Sequence, residues 1–174
     1  IRFWQFTITY LRDVKGVRNF IYAISPQMDA NYGDGVKARL LHRWPGDYYV
    51  DFLGMDCYHW DNKNAFSSNL TAMSALSLEK KKPCGVTETG PEGFSWNNYW
   101  TDHILACAKD KRVSMIVMWR NKYVGGNESD RHFYSVYPGH PSESDFRTFY
   151  DDEATFFSKD LPDMYTMPEG YEVK

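Results

Sequence analysis

The sequence predicts an α/β protein whose parallel sheet is covered by helices. Three observations carry this. Four short apolar, β-branched runs alternate with segments of helical period. A helical segment comes first and another closes the order. One run, CGVTE (84–88), ends abruptly in Glu88, and Gly90-Pro91 follows soon after. Alternation of this kind implies parallel strands joined by helical crossovers. Four strands suit either a small doubly wound domain or half of an eight-stranded barrel, and periodicity alone does not choose between them.

In chain order, Phe3, Trp4, Ile8, Leu11 and Val14 recur at roughly helical spacing, and Gly16 is a plausible stop. NFIYAIS (19–25) reads as a buried strand closed by Pro26. Residues 26–49 are rich in turn formers, with a short helix expected over Val36–Arg43. VDFLGMDCY (50–58) is the second strand. Phe66, Leu70, Met73 and Leu76 mark a helix that runs into Glu79-Lys80-Lys81-Lys82, a lysine-rich end that suits the negative pole of a helix. CGVTE is the third strand, and Tyr99, Trp100, Ile104, Leu105 and Ala108 mark the helix after it. VSMIVMW (113–119) is the fourth strand. Pro141-Ser142 with Asp145 reads as a capped helix start, with Phe146, Phe149 and Tyr150 on one face. The stretch 161–174 has little period and reads as irregular.

Composition sets broad bounds. The 174 residues amount to one ordinary domain, and 43% hydrophobic content is globular. No apolar run is long enough to span a bilayer. A net charge of -3 suggests no polyanion, so no nucleic-acid partner is expected. Aromatic content of 17% is high, which fits either a large aromatic core or stacking platforms for sugar rings. Cys57, Cys84 and Cys107 lack metal-type spacing and read as buried free thiols. His59, His103 and His132 lie in unrelated segments, so surface histidines and no metal are expected. Asn69-Leu70-Thr71 and Asn127-Glu128-Ser129 fit the glycosylation sequon, a pattern common by chance.

The strand ends are more informative. They carry Ser25, then Asp56-Cys57-Tyr58-His59-Trp60, then Glu88, then Trp119-Arg120-Asn121. In a closed barrel the C-terminal ends converge on one mouth. A carboxylate, a tyrosine, a tryptophan, an arginine and an asparagine around one cleft make a sugar site on chemical grounds. Aromatic faces stack on sugar rings, polar groups bind hydroxyls, and a carboxylate attacks or protonates. Each residue also has a plainer reading. Glu88 could bond a loop, Trp119 could cap the core, Tyr58 could pack, and Arg120 could form a surface ion pair. Arg131 and His132 fall in a long loop that either lines the site or crosses the surface. No GxGxxG or GxxxxGK phosphate loop occurs.

Several segments, in order, resemble the β-mannanases of glycoside hydrolase family 26, the bacterial enzymes in particular. They are YLRDVKGVRNFIYAISP (10–26), RWPGDYYVDFLGMDCYH (43–59), GVTETGPEG (85–93), MWRNKY (118–123) and HFYSVYPGHPS (132–142). The resemblance implies a (β/α)8 barrel, of which residues 1–174 supply strands five to eight with their helices. It implies Glu88 as catalytic nucleophile and Tyr58 as its hydrogen-bond partner. Asp51 and Asp56 would help order the site, Trp119 would lie under the sugar at the cleavage point, and Arg120 would contact the neighbouring sugar. Asn121 matches the same motif. The family's acid/base is a glutamate preceded by histidine on the fourth strand, and no His-Glu pair occurs here.

The resemblance thus implies a retaining endo-β-1,4-mannanase, acting without cofactor on mannan, glucomannan or galactomannan. It implies a secreted, periplasmic or cell-surface location. It also implies a partner, the N-terminal half of the same barrel, as a separate fragment or as residues outside this chain. A mixed-linkage β-glucanase or β-1,3-xylanase of the same family, and a non-catalytic mannan-binding protein, are the alternatives.

Overall fold

The computed structural model describes residues 1–122, 132–163, 166 and 169–170. Four strands form one sheet in the order β1-β2-β3-β4, all parallel: Ala23–Ile24, Phe52–Asp56, Cys84–Thr89 and Ile116–Met118. This order settles the choice that periodicity left open. A doubly wound sheet reverses its strand order at a switch point and carries helices on both faces. Here each crossover places the next strand beside the last, and the core lies on one face only.

That core joins Leu53, Met55 and Cys57 of the β2 segment and Cys84 and Val86 of β3 to the helices outside. Helix α3 (Lys63–Lys80) contributes Phe66, Leu70, Met73 and Leu76. The helical stretch Tyr99–Leu105, of π type and continued by α4 (Ala106–Ala108), contributes Tyr99, Trp100, Ile104 and Cys107. The short α2 (Val36–Leu40) adds Val36 and Leu40. Strand residues alternate between faces, so the opposite face carries Ile21, Ala23, Ser25, Gly54, Thr87, Met115 and Val117. On that face Ile21 is 77% exposed, and Met115 and Val117 are exposed too. Among the described residues, both outer strands have a free edge. A four-stranded, singly wound sheet with helices on one side only is half of a (β/α)8 barrel opened along two edges.

Local chemistry explains the element ends. Asn62 caps α3 by accepting from the Ala65 N–H at 3.0 Å. The helix stops where Lys81 turns left-handed (φ +54), and the Lys82 N–H returns to the Ser77 carbonyl at 3.1 Å. The lysine run is the helix end the sequence suggests. The opening helix α1 (Arg2–Ile8) continues as a π-type stretch (Thr9–Val14) and halts before Gly16, at φ +67. Its apolar face is only partly used. Ile8 is buried, whereas Phe3 is 82% exposed and Val14 is exposed as well. The helix is fixed instead by polar contacts to the loop ahead of β2: Trp4 Nε1 donates to the Tyr49 carbonyl at 2.8 Å and Gln5 Nε2 to that of Pro45 at 2.7 Å.

Several expectations need correcting. The first strand pairs over two residues rather than seven, because only Ala23 and Ile24 find partners on β2. The start of α5 (Glu143–Tyr150) is not capped as its sequence suggests. The Ser142 hydroxyl accepts from Trp100 Nε1 at 2.9 Å, and Asp145 caps a different helix, accepting from the Trp100 and Thr101 N–H groups at 2.8 and 3.1 Å. The sequon asparagine Asn69 is fully buried and donates to the Met28 and Ala30 carbonyls, so it presents no acceptor to a glycan. The Asn127 sequon lies outside the described residues, as do Tyr123 and Arg131. All three cysteines are free and buried. No described helix is long and apolar enough to cross a membrane.

Close packing of β3 against its neighbours gives a direct test. A methyl at Gly85 would lie 2.7 Å from the Met115 carbonyl oxygen and 3.0 Å from the Phe52 ring. Gly85→Ala is therefore expected to destabilise the fold by about 1–3 kcal/mol in denaturant unfolding. An unchanged midpoint would contradict this packing.

Candidate active site

The site begins with a register irregularity. Gly54 and Met55 of β2 pair with Gly85 and Val86 of β3, but Asp56 pairs with Glu88. On the other side, Val86 pairs with Ile116 and Thr89 with Met118. Strand β3 thus holds one residue more than either neighbour, a β-bulge around Thr87-Glu88. Strict alternation would send Thr87 and Glu88 to opposite faces. The bulge breaks that alternation at the C-terminal end of the strand. Thr87 hydrogen-bonds to Ser25 across the exposed face, and the next residue, Glu88, accepts from the Tyr58 hydroxyl at 2.5 Å.

Tyr58 is held on several sides. Its N–H donates to Asp29 Oδ1 at 2.8 Å, and its ring meets that of Tyr134 edge-on, with centroids 5.9 Å apart. Burial, with the hydrogen bond to Glu88 and that carboxylate's charge, pushes its phenol well above the ordinary value, so it stays protonated and donates. Tyr134 in turn donates to Glu92 Oε2 at 3.3 Å, and the Glu92 carboxylate also contacts the His132 ring at Nε2. These contacts tie the loop after β3 to the loop after β4. Gly90 is required at this crossing: it sits at φ +130, and a Cβ there would lie 2.9 Å from the Tyr134 carbonyl oxygen.

Asp56 lies beside Glu88 on the neighbouring strand. Its Oδ1 is buried with no hydrogen-bond partner among the described residues. Burial, together with repulsion from Glu88 and Asp29, raises its pKa to about 6. The mouth therefore holds two carboxylates of different character. Glu88 is hydrogen-bonded by a phenol, and Asp56 is driven towards its neutral form.

Trp119 and Arg120 follow β4 at the same end of the sheet, both exposed, and the Trp119 N–H is fixed to the Thr89 carbonyl at 2.6 Å. Two residues stand differently from the sequence reading. Asp51 precedes β2, at the opposite end of the strand from Asp56, and accepts from the Tyr22 N–H at 2.9 Å. Five residue steps along the strand place it roughly 16 Å from Asp56, so it does not reach the mouth. Asn121 is at the mouth, but its amide is occupied. Its Oδ1 accepts from the Tyr134 and Ser135 N–H groups at 3.0 and 2.9 Å, and its Nδ2 donates to the Ser135 carbonyl at 3.1 Å. It clasps the loop rather than presenting a free amide to a sugar.

The histidines also differ from expectation. His59 is buried, stacked on Phe66 with centroids 4.0 Å apart, and burial lowers its pKa to about 4. His103 stacks on Trp96 at 5.2 Å and is likewise lowered by burial. Sequence reasoning assigned no role to Asp29, Glu92 or Tyr134. Asp29 lies in a turn-rich loop with no pattern of its own. Glu92 and Tyr134 lie within the segments that carry the resemblance, and that was their only signal.

The fold and this mouth define part of a (β/α)8 barrel with two carboxylates and aromatic side chains at the C-terminal ends of its strands. The chain belongs to glycosyl hydrolase family 26, whose sequence profile matches residues 1–93. It is 28% identical over 185 residues to a mannan endo-1,4-β-mannosidase of Bifidobacterium adolescentis, covering 95% of this chain and 18% of that protein. Among solved structures it is similar to a β-mannanase of Bacteroides ovatus, with TM-score 0.80, 29% identity, and coverage of 99% of this chain and 48% of that one. A modular endo-β-1,4-mannanase of Cellulomonas fimi gives TM-score 0.74 at 29% identity, covering 92% of this chain and 36% of that one. The chain thus spans less than half the length of each of these relatives.

The electrostatics of Asp56 give a signed expectation. Its folded pKa lies above the ordinary carboxylate value, so its contribution to stability is fully present below about pH 4. That contribution is lost as pH rises through about 6. Asp56→Asn should therefore raise the melting temperature more at pH 7.5 than at pH 4. An equal effect at both values would mean that Asp56 titrates normally.

Proposed function

We propose that residues 1–174 are the C-terminal half of the catalytic domain of a retaining endo-β-1,4-mannanase, acting on mannan, glucomannan or galactomannan. The observation that carries this reading is Glu88, at the bulged end of β3, held by the Tyr58 hydroxyl at 2.5 Å in a chain of family 26. The relatives named as mannanases support the substrate.

In this reading Glu88 is the nucleophile. One of its carboxylate oxygens attacks the anomeric carbon of a mannosyl unit. A carbon–oxygen bond to Glu88 forms as the glycosidic carbon–oxygen bond breaks, and the leaving oxygen takes a proton from a general acid. That acid is a glutamate supplied from outside this chain, with its carboxyl roughly 5–5.5 Å from Glu88. It then takes a proton from water, which displaces Glu88 and restores the starting state with net retention. Tyr58 fixes the orientation of the Glu88 carboxylate. Trp119 offers its face to the sugar at the cleavage point, and Arg120 contacts the next sugar. Asp56, close to Glu88 and partly desolvated, shapes the field around the nucleophile.

The partner of this half is the N-terminal half of the same barrel. The exposed inner face around Ile21, Met115 and Val117, with the free edges of β1 and β4, calls for four more strands. A polymer as large as mannan must be cut outside the cell, which supports a secreted, periplasmic or surface location.

In the complete barrel, Glu88→Ala is expected to lower mannan turnover at least about a hundredfold while leaving the fold intact by circular dichroism. Near-wild-type hydrolysis by that variant would overturn the nucleophile assignment. Mannan binding without hydrolysis by the wild-type protein would favour a non-catalytic role. Parallel assays on lichenan and β-1,3-xylan separate the other family activities.

A further inference from the structure

The mouth carries one large apolar side chain that neither the site nor the open barrel accounts for. Trp60 lies in the turn between β2 and α3, two residues past Tyr58, and is 53% exposed. Its backbone is left-handed, at φ +49. Among the described residues only Lys81 shares a positive φ without being glycine, and Lys81 is explained as the terminus of α3. A bulky side chain in this region is strained, and such outliers persist only where their surroundings hold them.

Those surroundings are visible. On one side His59 is buried against Phe66. On the other, the Asn62 N–H donates to the His59 carbonyl at 2.8 Å, and the Asn62 side chain caps α3. The turn is pinned at both ends, with Trp60 at its crest. The indole has no hydrogen-bond or ring partner among the described residues.

The missing half of the barrel does not explain this exposure as it explains that of Ile21, Met115 and Val117. Strand β2 is an inner strand, and both of its neighbours, β1 and β3, belong to this chain. Around the mouth, the segment ends run Trp60, Glu88, Trp119, one strand apart. Trp60 and Trp119 therefore follow the two strands that lie on either side of β3.

We propose that Trp60 is a rigid stacking platform for a pyranose ring of the bound β-linked hexose chain, at a subsite away from the cleavage point. The proposal rests on the polysaccharide reading above and adds a residue to it. A flat sugar face packs on an aromatic face without loss of hydrogen bonds. A platform already fixed by its backbone loses little freedom on binding.

The test uses the complete barrel in a Glu88→Ala background, with mannohexaose, mannobiose and cellohexaose as calorimetric probes. Trp60→Ala is expected to weaken mannohexaose about tenfold and leave mannobiose unchanged. Trp60→Phe should recover most of that loss. Trp60→Gly should weaken mannohexaose equally yet raise the melting temperature by a few degrees, because glycine relieves the left-handed strain. A Trp60→Gly protein that melts lower, or unchanged mannohexaose affinity in Trp60→Ala, would overturn the platform and make Trp60 a packing residue. Trp60-dependent binding of cellohexaose with no binding of mannohexaose would overturn the mannan reading and uphold the platform. No binding of any probe by the parent would overturn both.

Discussion

One extra residue in β3 sets the geometry on which the rest of the site depends. Strands β2 and β4 run in register with β3 as far as Val86, and the bulge then places Glu88 opposite Asp56. A sheet with strict two-residue alternation could not send Thr87 and Glu88 towards the same side. With the bulge, Thr87 stays bonded to Ser25 inside the sheet and Glu88 meets Tyr58 at the mouth. Thr89, just beyond, turns back to the helix side and donates to the Cys57 carbonyl at 2.6 Å, which anchors the irregularity to β2.

The residues around that point form a graded environment. Asp29 fixes the backbone of Tyr58, Tyr58 fixes the carboxylate of Glu88, and Tyr134 packs on the Tyr58 ring while bonding Glu92. Every member sits at the C-terminal end of the sheet or in a loop leaving it, where a barrel's strand ends converge. The helix side is apolar and aromatic, and the buried imidazole of His59 stays neutral there because burial disfavours its charge. The outward face gives stiffness, and the inward face gives chemistry.

Much of this was legible in the sequence. Strand and helix order, the helical segment at Val36, the buried thiols and the convergence of Tyr58, Glu88, Trp119 and Arg120 at one end all follow from period and from which residues end each run. The half-barrel came from resemblance, and the sheet order gives it a physical basis. What the sequence did not disclose depends on long-range contacts. Asp51 and Asp56 sit in one run, and only the direction of the strand separates their ends. Asp145 has the look of a local cap, yet it serves a helix some forty-five residues away in sequence. His59 and Asn69 are polar residues whose burial is stabilised by partners on other elements, stacked rings for the one and the Met28 and Ala30 carbonyls for the other. The bulge leaves no compositional trace, since Val86-Thr87-Glu88-Thr89 reads as ordinary strand.

The central claim is that Glu88 forms a covalent bond to the sugar. The most direct measurement is mass spectrometry of peptides from the complete protein after reaction with a 2-deoxy-2-fluoro-mannosyl donor bearing a good leaving group. Such a donor needs little help from the acid/base, and its fluorine slows release of the intermediate. The account requires the added mass on the peptide containing Glu88, located to that carboxylate. A label on another carboxylate, or turnover of mannan with inversion and no label, would contradict it.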